Sequence, residues 1–580
     1  MALLTTLRRS AMRRPIAGKI GLGLLVLVLA WFLITFLYWP NISIIKAAVD
    51  PPVGSALDVV RELFASARIR TALVNTVVVA VVSVVTVSIV GITEAFLIEA
   101  FHLRARGFFT AAYAVSLVFG SVAAVTGYSM VYGPNGLLTH GLRTVIPGVQ
   151  QDWFTGLPAI LIVHTFTMTG YHFLFLRPAI RRIDFSLVEA ARSLGMGPVR
   201  ALLRVVIPVL RPTLLAATLM VFIGALGSFA APNILGGGRF EMVAPLIQSL
   251  TGLGRPDMSA ILGLVLGILT AVLLVVVLRA EKKAQLFTVS KSARPFERIR
   301  ITSPTGKAML HVVAAILAFI NLAPLAVTLL MSLSQTAAIR NGALSFPPTI
   351  ANYVSVFTSS TELQPLLNSL LLCAIAIPLA LVLGVALTHV TFRRRGALST
   401  TVQTSLLLPY FLPGVLLGLG FLISFGSANV LLGGKVLVGT FWILPLAYTI
   451  VLLPTVVRFV RADYAGMDPA LDEAARSLGA SPARRFLTLT LPLLAPVLLQ
   501  VAALSFNQTF DEYTVSVLLY NINVTPFGVT LGSLAAAQDP QLVGVATAYV
   551  IVSTAIALAM ILVADRMAQR ASRRNAGVAR

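Results

Sequence analysis

Acidic residues inside apolar stretches are the groups of this chain whose positions most directly suggest chemistry. The clearest case is the pair Asp511-Glu512 in SFNQTFDEYTVSVLLY, which is accompanied by Asn507 and Tyr513. A charged side chain within a membrane span is costly and marks a candidate functional site. Two roles are open for the pair. It attracts a cationic or metal-bearing solute or forms part of an outer gate, or it caps a helix at the water interface.

Other side chains with reactive or ligating groups have simpler expectations. His164 and His172 lie eight residues apart in one apolar stretch, which favours packing or hydrogen bonding over metal binding. Glu94 lies near the inner end of another stretch and is expected to be solvated there. The single cysteine, Cys373, excludes a disulfide framework within one chain. No Gly-x-x-x-x-Gly-Lys-Ser/Thr or Gly-x-Ser-x-Gly sequence occurs, so neither an ATP site nor a nucleophilic serine is predicted.

The elements that must position these residues are apolar stretches that recur along the whole chain. Hydrophobic residues make up 57% of the sequence and charged residues 11%, against about 25% charged residues in a soluble domain. A soluble protein with buried helices would need a polar surface that this chain lacks. The sequence predicts an all-α polytopic membrane protein with about twelve transmembrane helices of roughly 20 residues. They are expected at about 20–39, 72–93, 108–131, 157–176, 205–231, 259–278, 310–332, 366–390, 402–425, 440–457, 488–510 and 543–564.

The basic residues are distributed very unequally between the two sides of these segments. When the N-terminus and every second loop are assigned to one side, 35 of the 44 Lys and Arg residues fall there. This bias follows the positive-inside rule and places both termini in the cytoplasm. The net charge of +23 therefore indicates membrane topology, and no nucleic-acid partner is expected.

A seven-residue sequence occurs twice, letter for letter. Glu189-Ala-Ala-Arg-Ser-Leu-Gly195 returns 284 residues later as Glu473-Ala-Ala-Arg-Ser-Leu-Gly479. Such a repeat predicts two copies of one design. Because six helices is an even number, the halves have the same orientation and form two parallel six-helix repeats with a pseudo-two-fold axis along the membrane normal. We expect a first half at 1–280, a basic cytoplasmic linker at 281–308 and a second half at 309–580.

Each copy of the repeat is predicted to be a short amphipathic helix in a cytoplasmic loop, beginning near Phe185 or Pro469. Asp184 and Asp468 stand at the expected N-caps, and Gly195 and Gly479 stand where each helix must stop and turn. Inside the membrane the halves are expected to differ. Two prolines, Pro409 and Pro413, interrupt the ninth segment, whereas the matching third segment has none.

The sequence Glu-Ala-Ala, three residues, Gly, and a proline about 13 residues later resembles the signature loop of the permease subunits of type I ABC importers. The resemblance covers essentially the whole chain, as a fused two-in-one permease. It implies that residues 184–204 and 468–488 are coupling loops. These would seat on two copies of a separate ATP-binding subunit through Glu189, Ala190, Ala191 and Gly195, and through Glu473, Ala474, Ala475 and Gly479. ATP and magnesium would be bound by those partners, with no cofactor in this chain. A periplasmic or lipid-anchored binding protein would deliver the solute at the bacterial inner membrane.

The solute itself is not fixed by the resemblance. The fused form is similar to permeases for ferric iron, thiamine and 2-aminoethylphosphonate, with polyamine permeases as relatives, and we take ferric iron as the best hypothesis. Asp511, Glu512, Tyr513 and Asn507, together with Phe229 at the position equivalent to Tyr513, are the pathway or gate candidates. Two rival classes stay open: an ion-gradient-driven secondary transporter and an integral membrane enzyme.

Overall fold

In the computed structural model, the described residues are 21, 23–52, 54–134, 136–284, 296–340, 343–392, 396–406, 408–537 and 542–578. The basic N-terminal residues and the middle of the expected linker lie outside these ranges.

The described part of the chain is built from α-helices, and ten of them are long and apolar enough to cross a bilayer. Each carries at least 18 apolar-rich residues, which is what a spanning helix requires. They overlap the ten predicted segments other than the third and the ninth, with ends that differ by a few residues. The prediction of an all-α polytopic membrane protein is confirmed. The ten long helices are α1 (Gly23–Val49), α2 (Ala67–Glu99), α5 (Gly156–Arg181), α7 (Pro198–Leu226), α8 (Pro256–Ala284), α9 (Pro304–Ser332), α10 (Ser360–Phe392), α14 (Ile443–Ala465), α16 (Pro482–Thr509) and α17 (Val543–Val578). The shorter helices used below are α3 (Arg106–Val118), α4 (Ser121–Tyr132), α6 (Phe185–Ser193), α11 (Ala397–Ser405), α12 (Leu408–Phe411), α13 (Gly414–Phe425) and α15 (Pro469–Ser477).

The third and ninth segments are both broken, which corrects the expectation that only the ninth would be. The ninth is divided into α11, α12 and α13, and Pro413 stands immediately before α13. The third is divided into α3 and α4, with a bend of 110°. No proline causes this second break. Phe119 and Gly120 are extended there, and side chains from the other half occupy the break, as described below.

The first helix of each half packs against the opposite half. Helix α1 lies on α13 and α14, where Phe36 contacts the rings of Phe421 and Phe425. Helix α9 lies on α3 and α4, where the Tyr113 hydroxyl donates to the Ala314 carbonyl at 3.0 Å. The two halves are therefore interlocked, and neither forms a closed six-helix bundle from its own sequence alone.

Shorter helices connect the spans outside the loops of interest. They lie at Ala56–Ala65, Leu137–Val145, Ala230–Leu235, Val243–Gly252, Thr336–Arg340, Ala351–Thr358, Ser516–Leu519 and Phe527–Ala537.

Candidate functional site

The two copies of the repeated heptamer fold into the same helix–turn–helix. In the first repeated loop (residues 184–204), Asp184 accepts a hydrogen bond from the Ser186 backbone N–H at 3.0 Å and caps α6. In the second repeated loop (residues 468–488), Asp468 accepts from the Ala470 N–H at 2.9 Å and caps α15. In both, a π-helical turn then leads the next long helix into the membrane. The predicted helix starts and caps are confirmed.

Each repeated loop turns at its glycine and leaves the preceding leucine in solvent. Gly195 and Gly479 have φ of +83° and +77°, a conformation that side-chain-bearing residues rarely adopt. Leu194 and Leu478 are 82% and 88% exposed. Sequence reasoning did not single out these leucines, although their identity in both copies was a usable signal. The two loops therefore expose the same apolar side chain at equivalent points.

The two loops are held by different chemistry at equivalent positions. In the first loop Val188 and Ala201 are buried. The residues 284 positions later are Asp472 and Arg485, and they form an ion pair of 2.7 Å. None of the nine residues of α15 is buried, whereas α6 buries Phe185, Val188 and Ala191. An apolar contact is insensitive to salt, and a partly exposed ion pair is weakened by it.

The end of the linker covers the first loop. Ile299 is 2% exposed. Its N–H donates to the Ala100 carbonyl at 2.8 Å, and its carbonyl accepts from the His102 N–H at 3.2 Å. Phe296 meets the ring of Phe185 edge-on, with centroids 5.5 Å apart. The chain that joins the two halves therefore forms part of the support of α6.

A buried carboxylate organises the helix ends beneath the first loop. Glu99 is 3% exposed and lies 3.0, 2.8 and 2.7 Å from the guanidinium groups of Arg106, Arg177 and Arg181. Arg298 from the linker lies 4.0 Å away. These contacts join the ends of α2 and α5, the start of α3 and the linker. The second long helix of each half is offset by 293 residues, as Asn75 and Asn368 show. At the position equivalent to Glu99 the second half therefore has Phe392, which packs on Tyr464, so the carboxylate is not duplicated.

The predicted pathway residues meet at the junction of the halves. Phe229 and Tyr513 occupy equivalent positions and contact each other edge-on, with ring centroids 5.2 Å apart. Two equivalent residues in contact must lie beside the pseudo-two-fold axis. Asn233 donates to the Tyr513 hydroxyl at 2.8 Å, and Phe229 and Tyr513 are both buried. They lie beyond the far ends of α7 and α16 from the repeated loops.

Asp511 and Asn507 occupy the break in the third segment, across the junction. The Asn507 amide donates to the Leu117 carbonyl at 3.0 Å. The carboxyl group of Asp511 lies against Gly120, and a methyl group at Gly120 would overlap it. The equivalent contact in the other half exchanges the roles. Gly227 corresponds to Asp511 at the offset of 284 residues, and Pro413 corresponds to Gly120 at the offset of 293 residues that holds for the earlier helices of each half. A methyl group at Gly227 would lie 2.9 Å from Cβ of Pro413.

Glu512 acts as a helix cap, which is the second role that the sequence left open for it. Its carboxylate accepts from the N–H groups of Val515 and Ser516 at 2.8 and 2.9 Å and from the Ser516 hydroxyl at 2.6 Å. The same hydroxyl contacts Tyr448 at 2.6 Å. Ser516 and Leu519 of the capped helix are buried.

The histidines and Glu94 form buried polar contacts between spans. His164 bonds to Ser83 and Ser228 at 3.0 and 2.8 Å, and His172 bonds to Ser88 at 3.2 Å, so their hydrogen-bonded role is confirmed. The expectation that Glu94 is solvated is wrong. Glu94 is fully buried and accepts a hydrogen bond from the Asn321 side chain at 2.9 Å. Asn321 belongs to α9, the first helix of the second half, which covers this end of α2.

The fold and the paired loops define a polytopic membrane protein built from two similar halves. The chain belongs to the family described as binding-protein-dependent transport system inner membrane component, which matches it twice, at residues 16–282 and 376–576. It is therefore a fused, two-domain ABC importer permease, a transport component and a multi-pass membrane protein. This family assignment contradicts both rival interpretations, the ion-gradient-driven secondary transporter and the integral membrane enzyme.

Three relatives indicate how far the similarity extends. The chain is 38% identical to the "Probable ABC transporter permease protein y4fN" of Sinorhizobium fredii, over 93% of this chain and 95% of that protein. It is 25% identical to the "Ferric transport system permease protein FbpB" of Actinobacillus pleuropneumoniae, over 76% of this chain and 62% of that protein. A Salmonella paratyphi A permease protein named for 2-aminoethylphosphonate transport is 31% identical, over 47% of this chain and 98% of its own length.

Proposed function

We propose that the two repeated loops are the surfaces through which two separate ATP-binding subunits drive this permease. The observation that carries the proposal is the pair of identically capped helices, each ending in an exposed leucine and a left-handed glycine. Two equal surfaces suit two copies of one partner, since a pseudo-two-fold protein presents one site per half. Glu189 and Glu473 make the polar contact, Ala190, Ala191, Ala474 and Ala475 allow close packing, and Gly195 and Gly479 form the bend.

The loops connect directly to the spans that end at the axis. From Pro208 to Phe229 the chain is helical for most of 21 residues, or roughly 30 Å of rise. A movement of the first loop is thereby carried to Phe229, and a movement of the second loop is carried to Tyr513. The paired rings close the axis at the outer end, and Asp511, Asn507 and Glu512 hold the segments around them. ATP-driven movement of both loops separates the rings and opens the pathway.

The topology follows the distribution of basic residues. Both termini and both repeated loops lie in the cytoplasm of a bacterium, and the ring pair lies toward the outer face. ATP and magnesium are bound by the partner subunits, and a periplasmic or lipid-anchored binding protein delivers solute to the outer face. The family description, which names dependence on a binding protein, supports this last partner.

Ferric iron is the proposed solute, followed by 2-aminoethylphosphonate, polyamine and thiamine. The support is that similarity to a relative named for ferric transport extends over both halves of the chain. No group of three or more His, Cys, Asp or Glu in the described residues could hold a metal ion, so selectivity for iron would belong to the binding protein. The test is uptake of radioactive iron by vesicles that contain the permease, its ATP-binding subunits and its binding protein. Uptake of 2-aminoethylphosphonate and not of iron would contradict the choice of solute and leave the coupling proposal standing.

The coupling proposal is tested by Glu189→Ala combined with Glu473→Ala. Both side chains lie on short surface helices, so the double variant is expected to fold and insert as the wild type does. ATP hydrolysis by the complex should lose its stimulation by loaded binding protein, and transport should fall to background. Asp50→Ala with Asp565→Ala, which removes two exposed carboxylates outside both repeated loops, is the control for general loss of surface charge and should transport as the wild type does. Wild-type transport in the glutamate double variant would refute the coupling assignment.

A further inference from the structure

A groove open to the membrane separates the cytoplasmic end of α3 from the middle of α9. It has a volume of about 300 Å³ and is lined by Phe108 and Phe109 of α3 and by Ala315, Ala318, Phe319 and Leu322 of α9. Phe108 and Phe319 are 56% and 70% exposed, so the rings form the rims and the alanines form the floor. In the other half, the contact of α1 with α12 and α13 is filled by Phe36, Leu37 and Pro40, and the space left is about 10 Å³.

Basic side chains stand at the cytoplasmic end of the groove. The Arg104 backbone N–H donates to Nε2 of His311 at 3.2 Å, and Nδ1 of His311 lies 2.8 Å from the Lys307 carbonyl. These contacts fix the loop of Arg104 against the first turns of α9, one turn below Ala315. The side chains of Arg104 and Lys307 are exposed. Among the described residues no carboxylate lies within ion-pair distance of either one.

An arginine-rich cluster lies next to the mouth of the groove. Arg106, two residues before Phe108, belongs to this cluster, in which the buried carboxylate of Glu99 faces four guanidinium groups. An apolar groove at membrane depth with cations at its cytoplasmic mouth matches a molecule with a hydrocarbon chain and an anionic head. Basic pockets between spans on the cytoplasmic side bind such headgroups in other membrane proteins.

We propose that the α3–α9 groove binds one anionic phospholipid of the inner leaflet. An acyl chain lies between Phe108 and Phe319 over the alanines, and the phosphate lies between Arg104 and Lys307. Because α9 begins the second half and α3 belongs to the first, the lipid lies across the junction of the halves. The affinity of the site for a lipid depends on the negative charge of the headgroup and on the packing of the acyl chain in the groove.

The test is native mass spectrometry of the full-length permease, with dioleoyl phosphatidylglycerol and dioleoyl phosphatidylcholine added in equal amounts. Phosphatidylglycerol should be retained in preference by the wild type. Arg104→Gln with Lys307→Gln should weaken its binding roughly 25-fold, since each basic residue near an anionic head contributes about a fivefold effect. Ala315→Trp should reduce retention of both lipids, because the indole fills the floor of the groove.

Two controls separate this site from general effects of charge and folding. Arg143→Gln with Lys435→Gln removes two exposed cations from the opposite end of the spans and should leave phosphatidylglycerol binding unchanged. Ala315 is exposed on the membrane-facing side, so the melting temperature of Ala315→Trp should stay near that of the wild type. Equal retention of the two lipids by the wild type, or wild-type retention of phosphatidylglycerol in both site variants, would overturn the proposal.

Discussion

At the scale of single residues, the contact between Asp511 and Gly120 has the most consequences. It joins the second half to the break in the third segment, and its counterpart joins Gly227 to Pro413. A small residue faces a larger one in both contacts, and the first half supplies the glycine both times, from the break in the third segment in one contact and from the end of α7 in the other. The halves have diverged at this point while keeping the same contact.

Replacement of Gly120 by alanine should destabilise the junction. The backbone at Gly120 has φ of −61°, which alanine tolerates, so the effect is steric overlap with the Asp511 carboxyl group. Overpacking of a buried contact costs about 1–3 kcal/mol. The melting temperature of the purified permease measures it, and Gly107→Ala, which meets nothing within 4 Å, is the control. An unchanged melting temperature for Gly120→Ala would mean that the contact is not maintained in the protein.

The exposed leucines of the repeated loops should matter for binding and not for folding. Leu194→Asn with Leu478→Asn removes apolar surface that is already in solvent, so the melting temperature should not fall. The affinity for the ATP-binding subunit should fall by at least about tenfold, because two apolar anchors of an interface are lost. Titration of the subunit onto immobilised permease gives the affinity. Ile522→Asn, at an 89% exposed position near the other end of the spans, should bind as the wild type does.

The sequence predicts the roles of residues whose conformation depends on their neighbours in the chain. It does not predict roles that depend on a side chain from the other half. Asp184, Asp468 and the two glycines were predicted because caps and turns depend on neighbours in the chain. The role of Gly120 was not predictable, because its reason is a side chain almost 400 positions away. Glu94 was misjudged for the same cause, since Asn321 reaches it from a helix of the other half.

At the scale of elements, the two repeated loops are alike in shape and unlike in support. Helix α6 packs its apolar side against the linker residues Phe296 and Ile299, whereas α15 has an ion pair and no buried residue. Since burial of an aliphatic side chain contributes about 1.5–3 kcal/mol and α15 buries none of its residues, the first loop should be held more firmly.

This difference predicts unequal hydrogen exchange in the two loops. Backbone amides of residues 188–195 should exchange at least about tenfold more slowly than those of residues 472–479, because local opening must first expose the buried side of α6. Ile299→Asn should raise exchange in the first loop and leave the second unchanged. Equal exchange in the two loops of the wild type would show that the linker does not restrain α6.

The broken third segment illustrates what hydropathy alone can give at this scale. The apolar run at 108–131 was recognised, and the proline-marked break in the ninth segment was anticipated. The break in the third has no proline and depends on Asn507 and Asp511, so a single-segment pattern could not reveal it. The symmetry of the two halves was the unused signal, since a break in one copy favours a break in the other.

At the scale of the whole molecule, the halves are interlocked by exchange of their first helices. The repeat and the charge bias predicted two parallel halves, and the family assignment and the structure agree. The packing of each first helix against the opposite half was not predictable, because the sequence of a hydrophobic helix says little about which helices it packs against. Its consequence is that Phe229 and Tyr513, one from each half, can meet at the axis within one interlocked body.

The measurement that tests the account most directly is the mass of the complex formed when the chain is purified with its ATP-binding subunit. Native mass spectrometry should give one copy of this chain with two copies of the subunit, and ATP hydrolysis by that complex should drive uptake. A chain that purifies without such a partner and moves solute in response to an ion gradient, with no effect of ATP, would contradict the central claim that the two repeated loops couple this permease to ATP.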